Sequence, residues 1–284
     1  MANSAPPHGI AAANDPAATP FGAFAPNAGQ AAIIALAHRS RLKRGAFRPW
    51  LSRLVNLLRA GPLDVSYQGA SFRFYHQASA TERGALFNPD YNLEELDFLR
   101  AHTPQGGVFV DVGANVGTYA LALARHVGTG GKVIAIEPHP VTHARLAFNR
   151  AASGLTQVAL VAAAAGPSDG ALLIETDGDN LGASHVVSGE RAGNAIKVPS
   201  LRLRRILDDA GVSGVDTLKI DVEGFEDRVL TGFFREAPQA LWPRAIVIEH
   251  LSQNEWQDDC IADMLARRYT EAGKTRSNTL LVRA

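Results

Sequence analysis

The chain has 284 residues, of which 46% are hydrophobic and 20% charged, with a single cysteine, Cys260; this suits one sizeable domain with appendages and excludes wholesale disorder, an internal disulfide and a thiolate metal cluster. The net charge of zero conceals an asymmetry, because residues 31–60 hold seven Lys or Arg and no acid while residues 61–284 carry −6; a net acidic body repels phosphate backbones, so no nucleic-acid partner is expected. No apolar run reaches the roughly 18 residues of a membrane span, and the start of the chain lacks the basic and apolar parts of a signal peptide, so a cytoplasmic protein is expected.

Residues 1–30, dominated by Ala, Pro, Gly and Asn without apolar periodicity, read as a disordered tail. Residues 31–104 read as an N-terminal segment packed on the main domain. Within it, Leu51, Leu54, Val55 and Leu58 fall at i, i+3, i+4 and i+7, one face of a helix that begins after Pro49. The same basic stretch, residues 39–59, suits peripheral contact with an anionic membrane. Val65 and Tyr67 alternate across Gln68-Gly69 with Phe72 and Phe74, as a β-hairpin with one buried face would. Asn92, with Glu95 three residues on, predicts a capping-box start to a helix over 93–102.

Residues 105–284 form the main domain. Apolar runs at Val108–Val112, Val133–Ile136, Val158–Val161, Thr217–Ile220 and Ala245–Ile248 alternate with helical stretches near 116–126, 141–151, 203–210, 225–234 and 257–267. Fully apolar strands alternating with helices predict a doubly wound α/β fold with a mostly parallel sheet covered on both faces. Tyr269–Ala272 and Thr279–Val282 read as a terminal antiparallel hairpin.

Three passages carry chemistry. In the first, Asp111-Val-Gly-Ala-Asn-Val-Gly117 ends the first of these strands with Gly113 and Gly117 in the turn, where the backbone can approach a ligand at the carboxyl edge of the sheet. In the second, Glu137 ends the next strand and can accept hydrogen bonds from both hydroxyls of a ribose. A dinucleotide and S-adenosylmethionine both offer that ribose, but Asp111 beside the turn would repel a pyrophosphate and attract an ammonium or sulfonium. In the third, Leu218-Lys-Ile-Asp-Val-Glu-Gly-Phe-Glu226 brings Asp221 and Glu223 off a strand tip, and Glu249 and His250 leave the neighbouring tip. Any of these four can orient an acceptor or take its proton. Asp221, directly after an apolar strand, is the first choice as the desolvated base, with Glu223 nearer solvent. No complete metal ligand set is read, so no metal is expected.

Together the passages Asp111–Gly117, Glu137–Pro140 and Lys219–Gly224 resemble the FkbM family of S-adenosylmethionine-dependent methyltransferases. The likeness covers roughly residues 105–255, including Gly166–Gly170, a loop at Asn180–Ser184 and Leu203–Asp208. It implies a Rossmann-like class I fold and a cofactor pocket of Asp111, Gly113, Asn115, Gly117 and Glu137, flanked by Thr118 and Pro138, with Ala163 and Ala164 beside the adenine. It also implies methyl transfer to a hydroxyl of a sugar, glycan or polyketide-like acceptor. A nicotinamide-dependent oxidoreductase and a catalytically silent cofactor-binding module are the alternative readings.

Overall fold

A computed structural model describes residues 18–177, 180–187 and 195–284. The elements that precede the main domain are α1 (Ala28–His38), α2 (Arg48–Leu58), β1 (Leu63–Tyr67), β2 (Ala70–Phe74), α3 (Ala80–Phe87) and α4 (Leu93–His102). Gln68 and Gly69 both adopt positive φ, +49° and +80°. A two-residue turn of that kind matches the twist of the strands it joins, and β1 and β2 pair antiparallel as the alternation predicts.

Two N-terminal expectations need correction. Residues 1–17 lie outside the described residues, but residues 18–30, read as part of a disordered tail, are structured. Asn27 and Gln30 form a reciprocal capping box at the start of α1, and the Gln30 amide donates to the carbonyls of Val55 and Arg59 at 3.1 Å each. Polar side chains that satisfy buried backbone groups order this stretch, which apolar periodicity cannot reveal. Asn92 is in the left-handed region (φ +58°) and makes no capping bond. Glu95 instead accepts from Thr275 Oγ1 (2.5 Å) and Asn278 Nδ2 (3.0 Å), tying α4 to the far end of the chain.

The main domain runs β3 (Val108–Val112), α5 (Ala120–Val127), β4 (Lys132–Ile136), α6 (Pro140–Ser153), β5 (Val158–Val161), β6 (Ala164–Gly166), β7 (Gly170–Asp177), β8 (Asn180–Val187), β9 (Ile196–Arg202), α7 (Leu203–Asp209), β10 (Thr217–Ile220), α8 (Glu226–Glu236), β11 (Ala245–Glu249), α9 (Cys260–Ala266), β12 (Tyr269–Lys274) and β13 (Asn278–Arg283). Seven strands form the main sheet in the order β12-β13-β11-β10-β3-β4-β5; β10, β11, β3, β4 and β5 are parallel, and β13 is antiparallel to its two neighbours. The expected doubly wound sheet and terminal hairpin are both present. Period-2 alternation sends Phe109, Val133 and Ala135 into one core with α4, α5 and the N-terminal segment, and Val110, Ile134 and Ile246 into another with α7, α8 and α9. A second sheet, β6-β9-β7-β8, lies outside this alternation, and residues 180–184, expected as a loop, belong to its strand β8. Among the described residues no helix is long and apolar enough to cross a membrane.

Candidate active site

The carboxyl ends of β3, β4 and β10 open into a cleft of about 1090 Å³, counted out to its mouth. The turn after β3 reaches deep into it because of Gly113: its φ is +76°, and a Cβ there would collide with the carbonyl oxygen of Asp221. Any side chain would force the tips of β3 and β10 apart. Gly117 does not line the cleft; its φ of +97° lets α5 start against Leu146 of α6.

Glu137 leaves β4 into the cleft with both oxygens anchored. One accepts from the Asn115 backbone N–H and the other from the His139 backbone N–H, each at 2.9 Å. Burial raises its pKa to about 7 against these two bonds, which favour the charged form. Gly113, Asn115, Thr118, Glu137, Pro138 and Ala164 all line the cleft, whereas Ala163 is buried beside it.

Asp111 does not touch the cleft. It is fully buried one layer beneath, paired in strand register with Lys219 of β10. Lys219 Nζ stands 3.6 Å from Asp111 and 3.5 Å from Asp221, and donates to the Gly113 carbonyl at 2.9 Å. Asp111 has no contact as close as those that hold Glu137: Lys219 is its ion-pair partner, at the longer distance. Burial outweighs Lys219 and raises the Asp111 pKa to about 6. Lys219 is raised above its ordinary value, since Asp221 and Asp111 outweigh its own burial. In the sequence Lys219 passes for one half of an ordinary surface ion pair; at 3% exposure it forms the floor of the site.

Of the four residues read as acceptor-side candidates, the structure brings two into the cleft. Asp221 and Glu223 line it, while Glu249 and His250 do not. The Asp221 side chain is 38% exposed, so it is less desolvated than its strand position suggests. Glu223, at φ +52°, has a pKa raised to about 7 by burial and then by the charges of Asp221, Glu249 and Glu226. Glu249 is buried and accepts from the backbone N–H groups of Leu251 and Ser252, holding the turn after β11. Burial, then the charge of Asp221, lifts its pKa to about 7. His250 shares a hydrogen bond with Thr279 Oγ1 at 3.0 Å.

Glu226 shapes this tip. Its carboxylate accepts from the N–H groups of Val222 (2.7 Å) and Gly224 (3.1 Å) and from Trp256 Nε1 (2.8 Å). Its oxygens lie within 4.8 Å of oxygens of Asp221 and Glu249, but they are already committed to folding the turn that presents Asp221 and Glu223.

The other wall was not legible as a site in the sequence. Thr81, Tyr91 and Asn92 come from α3 and the connection to α4, Ser277 from the β12–β13 turn and Asn278 from the first position of β13. Tyr91 is seated by Gly84, where a Cβ would stand 2.6 Å from its ring.

Comparison with known proteins gives a consistent family. A profile described as the methyltransferase FkbM domain matches residues 111–273. The methyltransferase sdnD of Sordaria araneosa is 30% identical over 181 residues, 52% of this chain and 68% of that protein. Among solved structures, a methyltransferase from Geobacter sulfurreducens is 17% identical with a TM-score of 0.41, covering 68% of this chain and 78% of that one. M. jannaschii TYW2, solved in complex with AdoMet, is 13% identical with a TM-score of 0.38, covering 78% of this chain and 87% of that one.

Proposed function

Because the chain belongs to the FkbM methyltransferases, we propose that it uses S-adenosylmethionine to methylate a hydroxyl group of a sugar, glycan or polyketide-like acceptor. One observation carries the reading: a single cleft holds a buried acid, Glu137, fixed by two backbone N–H groups, and a carboxylate pair, Asp221 and Glu223, on the other side of the β3 turn.

The residues present suit that cofactor. Glu137 keeps lone pairs for two ribose hydroxyls, the turn 113–117 offers a close backbone approach, and the buried carboxyl of Asp111 lies beneath the place where a cation would lie. When bound, S-adenosylmethionine supplies an electrophilic sulfonium methyl for in-line displacement by the acceptor oxygen. The protein has to orient that oxygen and take its proton. Glu223 is the base in this reading, because it faces the cleft and is held near neutrality by burial and neighbouring carboxylates. Asp221, held by Lys219, orients the acceptor.

Calorimetry with S-adenosylmethionine and NAD side by side tests the cofactor, and transfer of labelled methyl to fractionated glycans, lipids and small molecules tests the reaction. An ether-linked methyl is expected; a product methylated on nitrogen or carbon, or binding of NAD alone, would overturn the assignment. Glu223→Gln should lower kcat by about 10²–10⁴-fold with little change in cofactor affinity. The wild-type rate should rise with pH through about 7 and be lost below it, because the base works only when deprotonated.

A further inference from the structure

We propose that the outer face of α2, with the basic turns that lead into it, docks on an anionic lipid bilayer. The inner face of this helix is taken up by the protein: Leu51, Ser52 and Val55 are buried, and Arg48 holds its guanidinium carbon 5.4 Å from the centre of the Tyr91 ring. Trp50, Leu54, Leu57 and Leu58 recur at i, i+4, i+7 and i+8, a second apolar stripe on the side turned away. Trp50 is 57% and Leu57 82% exposed, Leu58 is exposed, and Leu54 is half-buried. Leu54 and Leu58, read from the sequence as part of the buried face, fall instead at its outer edge.

Single exposed apolar side chains are ordinary on a protein surface, but a run of them is not. Among the described residues nine large hydrophobic side chains are exposed, and four of them, Phe47, Trp50, Leu57 and Leu58, fall between positions 47 and 58. The stripe is therefore a feature of this helix and not of the surface at large.

Cations accompany the stripe. Exposed Arg53 sits on the same side of α2, three residues after Trp50 and four before Leu57. Exposed Arg41 and Arg44 lead into the helix through two successive turns, in which the Arg44 N–H donates to the Arg41 carbonyl (3.2 Å) and the Phe47 N–H to the Arg44 carbonyl (3.1 Å). Residues 31–60 contain no acid. Lys43 is held by Asp90 at 2.6 Å, but among the described residues no ion pair engages Arg41, Arg44 or Arg53. A second copy of this face would set arginine against arginine. A bilayer with anionic headgroups covers the apolar stripe and neutralises the cations together: Trp, Phe and Leu enter the boundary between headgroups and acyl chains, and the guanidinium groups meet lipid phosphates.

The test is sedimentation of the full chain with phosphatidylcholine vesicles, with and without phosphatidylglycerol. The acidic vesicles should retain the protein where neutral ones do not, and raising the salt from about 0.1 to about 0.5 M should weaken retention. Arg44→Gln combined with Arg53→Gln should weaken it by about tenfold or more, and so should Trp50→Ala combined with Leu57→Ala. All four side chains are exposed, so the melting temperature should stay that of the wild type in both variants. Tryptophan emission should shift to the blue on acidic vesicles and cease to do so in Trp50→Phe, because Trp242 and Trp256 are already hydrogen-bonded within the protein. Equal retention on both kinds of vesicle would overturn the proposal, as would unaltered retention in both double variants or a blue shift that survives Trp50→Phe. Self-association without vesicles that either double variant abolishes would also overturn it, by assigning the face to a second copy of the chain.

Discussion

Arg73 with Asp64 and Lys219 with Asp111 are both buried ion pairs, yet their surroundings differ completely. Arg73 donates to both Asp64 oxygens (2.7 and 2.8 Å) and to the carbonyls of Thr19 and Pro20 (2.8 Å each), with its guanidinium over the rings of Phe24 and Phe148. Asp64 also accepts from the N–H groups of Gly22 and Phe24. Burial opposes its charge, but these bonds win and hold its pKa below the ordinary value. Asp111 has a lysine 3.6 Å away and no bidentate partner, and burial raises its pKa. The first pair is closed and pins the N-terminal segment to the β1–β2 hairpin. The second is incomplete in the way expected of a site whose remaining partner is a ligand.

Breaking the closed pair should have the largest effect on stability. Arg73→Met leaves Asp64 charged and buried, and should cost about 3–5 kcal/mol, read as a shift in the urea midpoint. A loss below about 1 kcal/mol would show that the Arg73 guanidinium does not pin the N-terminal segment.

At the site, pH should act through Glu137. Its raised pKa means that a proton must leave before ribose hydroxyls can donate to the carboxylate. Affinity for S-adenosylhomocysteine should therefore fall about tenfold between about pH 8 and about pH 6, with proton release on binding near the lower value. Glu137→Gln should weaken binding and flatten this dependence; a slope that survives the substitution would assign it to Asp111.

The smallest effect on stability should come from Asp111→Asn. Burial already disfavours the charge of Asp111, so the unliganded protein should change by within about 1 kcal/mol, while affinity for S-adenosylmethionine drops about tenfold. Destabilisation on the scale of Arg73→Met would make the two pairs equivalent and the contrast wrong.

Much of the domain was legible before folding. The apolar runs that became β3, β4, β5, β10 and β11 are short, continuous and separated by helical periodicity, so burial on both faces leaves one solution. Gly113, Asn115 and Glu137 could be placed because their roles depend on local turn geometry at a strand end. The capping box of α1 and the strand β8 were not recognised, since neither announces itself by apolar periodicity.

What the sequence determined by itself is therefore the doubly wound sheet, the family motifs and the Gly113–Glu137 side of the cleft, because each follows from residues a few positions apart. Tertiary structure alone decided the rest. Asp111 lies beneath the cleft rather than in it, because strand register gives it Lys219 as neighbour. Glu223 has its pKa raised to about 7 by burial and by the charges of Asp221, Glu249 and Glu226, of which Glu249 comes from the neighbouring strand end. Thr81, Tyr91, Asn92, Ser277 and Asn278 form one wall of the cleft only because α3, the connection to α4 and the β12–β13 end converge, and a sequence read in local windows carries no record of which distant segments come together.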